Sequence, residues 1–377
     1  MSNPRSYDIV VYGATGFTGG FVCEYLAQRA GELGDLRWAL AGRSLSKLEQ
    51  VRDAIGAGDI PLVEADVSDP GSVEAMAAST RVVLTTVGPY QVYGTPLVAA
   101  CAASGTDYVD LCGEPIWMRR MIDEYEQAAR ASGARILFCC GFDSIPSELG
   151  VWLLQRSAVE KFGKPMPRVR GRVLAFVGGP GGGSIASGIA TAKAAESDPQ
   201  AARLLQDPFA LTPGFRGPEQ PTGQDVGVEP DVGPVGPFVL GATDAKNVHR
   251  SNLLMGHPYG TDFVYDEMLV GESLFPRPAG PLPKPGEGPG PDVIANGRFE
   301  MLFIGSDLDG HEVRSVVAGS RDPGFGATSG MVSETALCLL EDESLAPGVW
   351  TPGAALQEKL VERLIAHADM TFKVVGD

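Results

Sequence analysis

Tyr7-Asp8-Ile9-Val10-Val11-Tyr12-Gly13-Ala14-Thr15-Gly16-Phe17-Thr18-Gly19 decides the fold of this 377-residue chain. A short apolar run that ends in glycines and passes into the helical pattern Phe17–Arg29 reads as strand, tight turn and helix. The glycines at 13, 16 and 19 let the chain turn sharply and let its backbone approach a pyrophosphate. Such an anion is favoured at a helix N-terminus by unpaired N–H groups and the helix dipole. Gly13, Thr15, Gly16, Phe17 and Thr18 are therefore expected to hold a dinucleotide. The spacing is G-x-x-G-x-x-G rather than G-x-G-x-x-G, so the strand–turn–helix setting carries more weight than the glycines alone. A tight turn with no ligand is the bland alternative.

Outward from this turn, strands and helices alternate. Further strands are expected at Arg37–Ala41, Pro61–Ala65, Val82–Val87, Tyr108–Leu111 and Ile136–Cys140, with helices between them. This alternation predicts an α/β fold with a Rossmann-type, doubly wound parallel sheet over residues 1–150. After a helix at Leu149–Arg156 the texture changes to dense glycine and proline, with long loop-like stretches at Asp207–Pro237 and Pro276–Pro291. Arg298–Ser306 and Glu312–Gly319 flank Asp309-Gly310, a hairpin signal. Residues 151–330 are expected to form a second domain with a mixed or antiparallel sheet, few helices and long loops. This domain is assigned to substrate binding or dimerisation. Met331–Leu340 and Ala354–Ala368 read as helices that return to the first domain.

The end of the second strand selects the cofactor. An NAD enzyme usually places a carboxylate there for the ribose hydroxyls. Here Ala41-Gly42 is followed by Arg43 and Ser44, with Lys47 one turn on. Arg43 suits bidentate binding of a 2′-phosphate, Ser44 donates a hydroxyl and Lys47 adds charge, which points to NADP(H). Asp66, beside Val67 at the end of the third strand, either accepts from the adenine amino group or caps the next helix. Val87, Gly88, Pro89 and Tyr90 end the fourth strand, where cofactor and substrate meet in sheets of this kind. Tyr90 either packs on the nicotinamide or donates a proton.

Composition narrows the partners. Hydrophobic residues make up 44% and charged residues 20%, which suits a globular chain. The net charge of -17 repels phosphate backbones and anionic lipid, so nucleic acid and membrane surfaces are poor partners. No apolar N-terminal segment or bilayer-length run is present, and the six cysteines form no Cys-x-x-Cys pair. The four histidines lack metal-ligand spacing. A reduced, metal-free, cytoplasmic protein is expected.

Longer motifs add a resemblance. They are YGATGFTG (Tyr12–Gly19), LAGRSLSKL (Leu40–Leu48), VGPYQVYG (Val87–Gly94), DYVDLCGE (Asp107–Glu114), CGFDSIPSELG (Cys140–Gly150), the run Gly181–Thr191 and RDPGFGATSGM (Arg321–Met331). Through them the chain resembles the saccharopine dehydrogenase-like oxidoreductases, and within these the trans-acting enoyl reductase group. The first two motifs are generic to NADP-binding folds, whereas DLCGE followed by GFDSIPS is more specific. The resemblance implies a saccharopine-reductase-like second domain and NADP(H). It also implies reduction of an activated C=C bond in a lipid or polyketide intermediate. The substrate is then a small molecule or acyl thioester, presented by a synthase or carrier protein, with a homodimer as a further expectation.

Tyr90, Tyr93 and Asp143 are the candidate proton donors, and burial would raise the Asp143 pKa as acid catalysis requires. Ser144 suits an N-cap. Two alternatives stand beside enoyl reduction. One is imine reduction of a saccharopine type, in which Arg298, Arg314 and Arg321 hold amino-acid carboxylates. The other is a non-catalytic NADP-binding partner protein.

Overall fold

The computed structural model describes residues 5–271 and 281–376. Six parallel strands build the first sheet: β1 (Tyr7–Tyr12), β2 (Trp38–Gly42), β3 (Leu62–Glu64), β4 (Thr80–Thr85), β5 (Asp107–Val109) and β6 (Arg135–Leu137). They run in the order β6-β5-β4-β1-β2-β3, a doubly wound arrangement whose switch point lies between β1 and β4. Ile9, Val10 and Val11 on β1, and Val82, Val83 and Leu84 on β4, are all 0% exposed. Burial on both faces explains why these strands read as continuous apolar runs.

The helices of this half are α1 (Phe17–Leu33), α2 (Leu45–Ala54), α3 (Pro70–Ser79), α4 (Tyr90–Tyr93), α5 (Thr95–Ser104) and α6 (Pro115–Ser132). Prolines open α3, α5 and α6, where the missing N–H costs nothing and the fixed φ already suits a helix. α7 (Ile145–Phe162) then carries the chain into a second sheet.

The second sheet contains β7 (Arg168–Val177), β8 (Gly227–Glu229), β9 (Gly233–Pro237), β10 (Val264–Val270), β11 (Arg298–Ser306) and β12 (Glu312–Gly319). Two more strands close the chain: β13 (Gly348–Trp350) extends the first sheet beside β6, and β14 (Met370–Val375) extends the second beside β12. The second sheet runs β14-β12-β11-β7-β10-β9-β8, and within it only β7 and β10 pair in parallel. The mixed sheet and the β11–β12 hairpin match the sequence reading.

The expectation of few helices does not hold. α8 (Gly182–Ser197), α9 (Pro199–Gln206), α10 (Gly241–Leu254) and α11 (Pro291–Ala295) all precede residue 330. α8 was obscured by its glycines. α10 was obscured because its polar residues Asp244, Asn247 and Ser251 face inward, at 1%, 0% and 2% exposure, which inverts the usual amphipathic pattern.

The C-terminal helices tie the halves together. α12 (Thr328–Glu341) packs on α1 and β4, while α13 (Pro352–His367) packs on α7 and α12. Glu334, fully buried on α12, accepts from Tyr25 Oη at 2.8 Å and Arg29 Nε at 2.7 Å on α1, and from Arg363 Nε at 2.8 Å on α13. Glu334→Ala takes the buried carboxylate from two guanidinium groups and leaves Arg29 with only Glu32 and Arg363 with only Glu341 at the rim. It is expected to cost about 3–5 kcal/mol, read as a fall in melting temperature.

No described helix is long and apolar enough to cross a membrane. All six cysteines are free and buried.

Candidate functional site

Because the strands of the first sheet are parallel, their C-terminal ends share one edge. Gly13, Gly42-Arg43, Asp66-Val67, Thr86–Pro89, Asp110–Cys112 and Phe138–Asp143 all emerge there.

The turn after β1 is shaped for an anion. Gly13 has φ +93°, and a Cβ on it would stand 2.7 Å from Val87 Cγ2 and 2.8 Å from Thr86 Oγ1. A Cβ on Gly19 would lie 2.1 Å from the Gly13 carbonyl oxygen, so α1 begins in direct contact with the turn. Thr15 and Gly16 are exposed at that helix start, and no side chain caps its N–H groups. The Phe17 ring packs edge-on to Phe325 at 4.9 Å, and Gly288 lies against it.

Arg43 is exposed after β2 and forms no hydrogen bond or ion pair among the described residues. Among the described residues the Ser44 hydroxyl meets only that of Ser46, at 3.1 Å, and Lys47 is exposed on the first turn of α2. Asp66 spends one oxygen on Ser68, accepting from its N–H and its hydroxyl, both at 2.8 Å. Those bonds, with the Arg43 charge nearby, hold its carboxyl below the usual range. Val67 N–H meets the Tyr12 hydroxyl. A cradle closed to side chains, an open helix start and an uncommitted guanidinium fit a dinucleotide with a 2′-phosphate.

At the other half of the edge, the motif residues interlock. Glu114 accepts from Tyr90 N at 2.8 Å and Gln91 N at 2.9 Å, which fixes α4. Tyr90 is buried. Its hydroxyl lies 3.3 Å from the Thr85 carbonyl and accepts from Leu111 N at 3.1 Å. Tyr90 therefore braces β4 against β5, and its phenol is pushed well above the usual value by burial. Tyr93, three residues on, is 42% exposed.

Asp110 accepts from the N–H groups of Cys112 and Cys139, both at 3.0 Å, and from Tyr108 Oη at 2.8 Å. Burial outweighs these donors and lifts its carboxyl to about 7. The bond to Cys139 matters because Cys139 sits at φ +58°, a strained region for a residue with a side chain. Ser144 assists. Its hydroxyl reaches the Cys139 carbonyl at 3.0 Å and Glu148 Oε1 at 2.7 Å, and it makes no capping bond, contrary to the N-cap expectation. Asp143 follows this strained turn, half-buried beside Gly113, and burial raises its carboxyl to about 6.

α8 crosses the same edge. Gln91 Nε2 donates to Thr191 Oγ1 at 2.9 Å, and Ser187 approaches Gly88. Sequence reading missed these α8 contacts. It also gave no role to Asp110 or Glu114, whose decisive partners, Cys139 and Tyr90, lie far along the chain.

Other features lie elsewhere. Asp307, Asp309 and His311 cluster in the β11–β12 turn, but the Lys164 ammonium already sits among them, 2.9 Å from Asp307. A hollow lined by Tyr7, Arg37, Trp38 and Ile60 opens at the amino ends of β1–β3, opposite the glycine turn.

Comparison with known proteins shows the family. Residues 9–137 match the saccharopine dehydrogenase NADP binding domain. A trans-acting enoyl reductase of Mycobacterium ulcerans is 37% identical, with 96% of each chain covered. A Mycobacterium tuberculosis relative, given the same name provisionally, is 40% identical over 97% of each chain. The chain belongs to the trans-acting enoyl reductase family. Its fold is also that of saccharopine dehydrogenase (L-Glu forming) from Saccharomyces cerevisiae, with TM-score 0.59, 10% identity, and coverage of 98% of this chain and 100% of that one. As a member of the trans-acting enoyl reductase family, the protein is an NADP-dependent oxidoreductase, and residues 9–137 are its NADP-binding domain.

Proposed function

We propose that the protein reduces the C=C bond of an α,β-unsaturated acyl thioester, with the nicotinamide placed between Gly88 and the Cys139–Asp143 turn. The observation that supports this most is Asp143: a half-buried carboxyl raised to about 6, held on a strained turn at the end of β6. NADPH, when bound, supplies a hydride to the β carbon. The α carbon then needs a proton, and the protonated Asp143 carboxyl is suited to give it. Tyr93 lines the approach, and the buried Tyr90 hydroxyl keeps its bracing bonds. The 2′-phosphate is assigned to Arg43, Ser44 and Lys47, and the pyrophosphate to the backbone of Gly13–Thr18. The acyl group is delivered by a synthase or carrier protein acting in trans.

The experiment is NADPH oxidation with enoyl thioesters of graded acyl length. Asp143→Asn is expected to lower kcat by about 100-fold and to remove the alkaline limb of the pH profile. Asp143 must be protonated to act, so wild-type activity falls as pH rises through about 6. Tyr93→Phe is expected to retain activity. Absence of turnover at every acyl length would overturn the reading. Imine reduction gains less support, because two of its three candidate arginines are already paired, Arg314 with Glu312 and Asp231 and Arg321 with Asp369, which leaves the exposed Arg298 alone.

A further inference from the structure

Behind the Cys139–Asp143 turn, α10 packs against β10 and α7 through buried polar side chains. Asp244 on α10 and Glu267 on β10 are 1% and 2% exposed, and their carboxyl groups face each other closely enough to interact directly. Glu267 Oε2 also accepts from Tyr265 Oη at 2.5 Å and Ser147 Oγ at 2.8 Å. Asp244 Oδ1 and Glu267 Oε1 receive no donor from any other described group.

Two carboxylates cannot bond without a proton between them, and two buried oxygens without donors would each cost a desolvation penalty. One shared proton removes both difficulties. Glu267 already accepts two hydroxyls and feels the Arg172 cation, so it is the anion, and Asp244 is the acid.

The position of the pair gives it a use. One turn after Asp244, Asn247 Nδ2 contacts Cys139 Sγ at 3.4 Å, and one turn further Ser251 Oγ donates to Glu148 Oε2 at 2.5 Å. α10 thus supports the strained turn from behind, and the Asp244–Glu267 pair seats its first turn, while the Arg250 bonds to the Leu211 and Val349 carbonyls hold its far end. We infer that Asp244 and Glu267 form a one-proton carboxyl pair whose bond positions α10, and through Asn247 the Cys139–Asp143 turn, for proton delivery. This rests on the reading of Asp143 as the proton donor.

The surroundings favour retention of the proton. Asp143 and Glu148 face Asp244 from the α7 side, Glu148 itself being raised to about 7. Tyr265 and Arg172 face Glu267 from the sheet. Lys246 and His249, on α10 itself, are respectively lowered to about 8 and, through burial, held neutral. A carboxyl whose folded-state pKa is raised stabilises the fold least at high pH. The folded state holds a proton that the unfolded chain gives up above the ordinary carboxylate range. The contribution is therefore present at low pH and lost as pH rises through the raised value.

The test uses the full-length protein. The infrared band of a protonated carboxyl, recorded near neutral pH without substrate, is expected to lose one component in both Asp244→Asn and Glu267→Gln. In either variant an amide N–H replaces the shared proton. Asp244→Asn is also expected to flatten the fall of stability with pH by one proton, about tenfold in the unfolding equilibrium constant per pH unit. With an octenoyl thioester, Asp244→Ala is expected to lower kcat by about tenfold or more at unchanged NADPH affinity, and Asp244→Asn to restore it. An unchanged band in both amide variants overturns the shared proton. Equal kcat losses in the alanine and asparagine variants overturn the positioning role. Failure of the wild type to turn over any thioester overturns the enoyl reading instead, and the infrared and stability results then still judge the pair.

Discussion

Arg43→Asp is expected to raise the Kd for NADPH by about 100-fold or more and to leave NADH binding undiminished or tighter. Arg43 directly follows β2, is exposed and has no hydrogen-bond or ion-pair partner among the described residues, so its guanidinium is free to grip a 2′-phosphate. A charge-assisted bond of this kind contributes about 1.5–3 kcal/mol, and a tenfold change in affinity is about 1.4 kcal/mol. The substitution removes that bond and sets a second carboxylate beside Asp66, whose own carboxyl already stays ionised. Repulsion therefore adds to the loss. NADH lacks the phosphate, and its ribose hydroxyls can donate to the new carboxylate. Fluorescence titration with both cofactors measures the ratio, and an unaltered ratio would remove Arg43 from the phosphate site.

Gly19→Ala is expected to abolish measurable NADPH binding. Its new Cβ would stand 2.1 Å from the Gly13 carbonyl oxygen and 2.9 Å from the Gly13 carbonyl carbon. These are backbone atoms, so no rotamer change relieves the clash. The turn and the first turn of α1 must separate, and the N–H groups that converge on a pyrophosphate then diverge. Gly20→Ala is the control, because a Cβ there meets nothing within 4 Å. In a helix interior it is expected to stabilise by about 1 kcal/mol and to keep cofactor affinity. Loss of binding in both variants would falsify the steric account.

The first sheet was legible in the sequence because burial on both faces of β1 and β4 leaves unbroken apolar runs, and because glycine and Arg43 act locally. The second half was less legible for a physical reason. α10 hides Asp244, Asn247 and Ser251 inside, so its sequence resembles a polar loop. β13 and β14 are edge strands, and β13 is only three residues long, too short for alternation to register. At the site, the residues of DLCGE and GFDSIPS stood out as motifs, but not as partners. Asp110 acts by accepting from Cys139 across 29 positions, a contact that no local pattern encodes. Ser144 looked like a cap because it precedes a helix, whereas its hydroxyl is drawn to Cys139 and Glu148.

The last strands bear on how the protein is made. The first sheet gains β13 only from residues 348–350, and α12 covers α1 and β4 from residues 328–341. A nascent chain that emerges in order therefore exposes the apolar flank of the nucleotide domain until nearly the whole polypeptide has left the ribosome. The N-terminal half, though it reads as an independent module, is expected to need chaperone protection during synthesis and to aggregate when expressed alone.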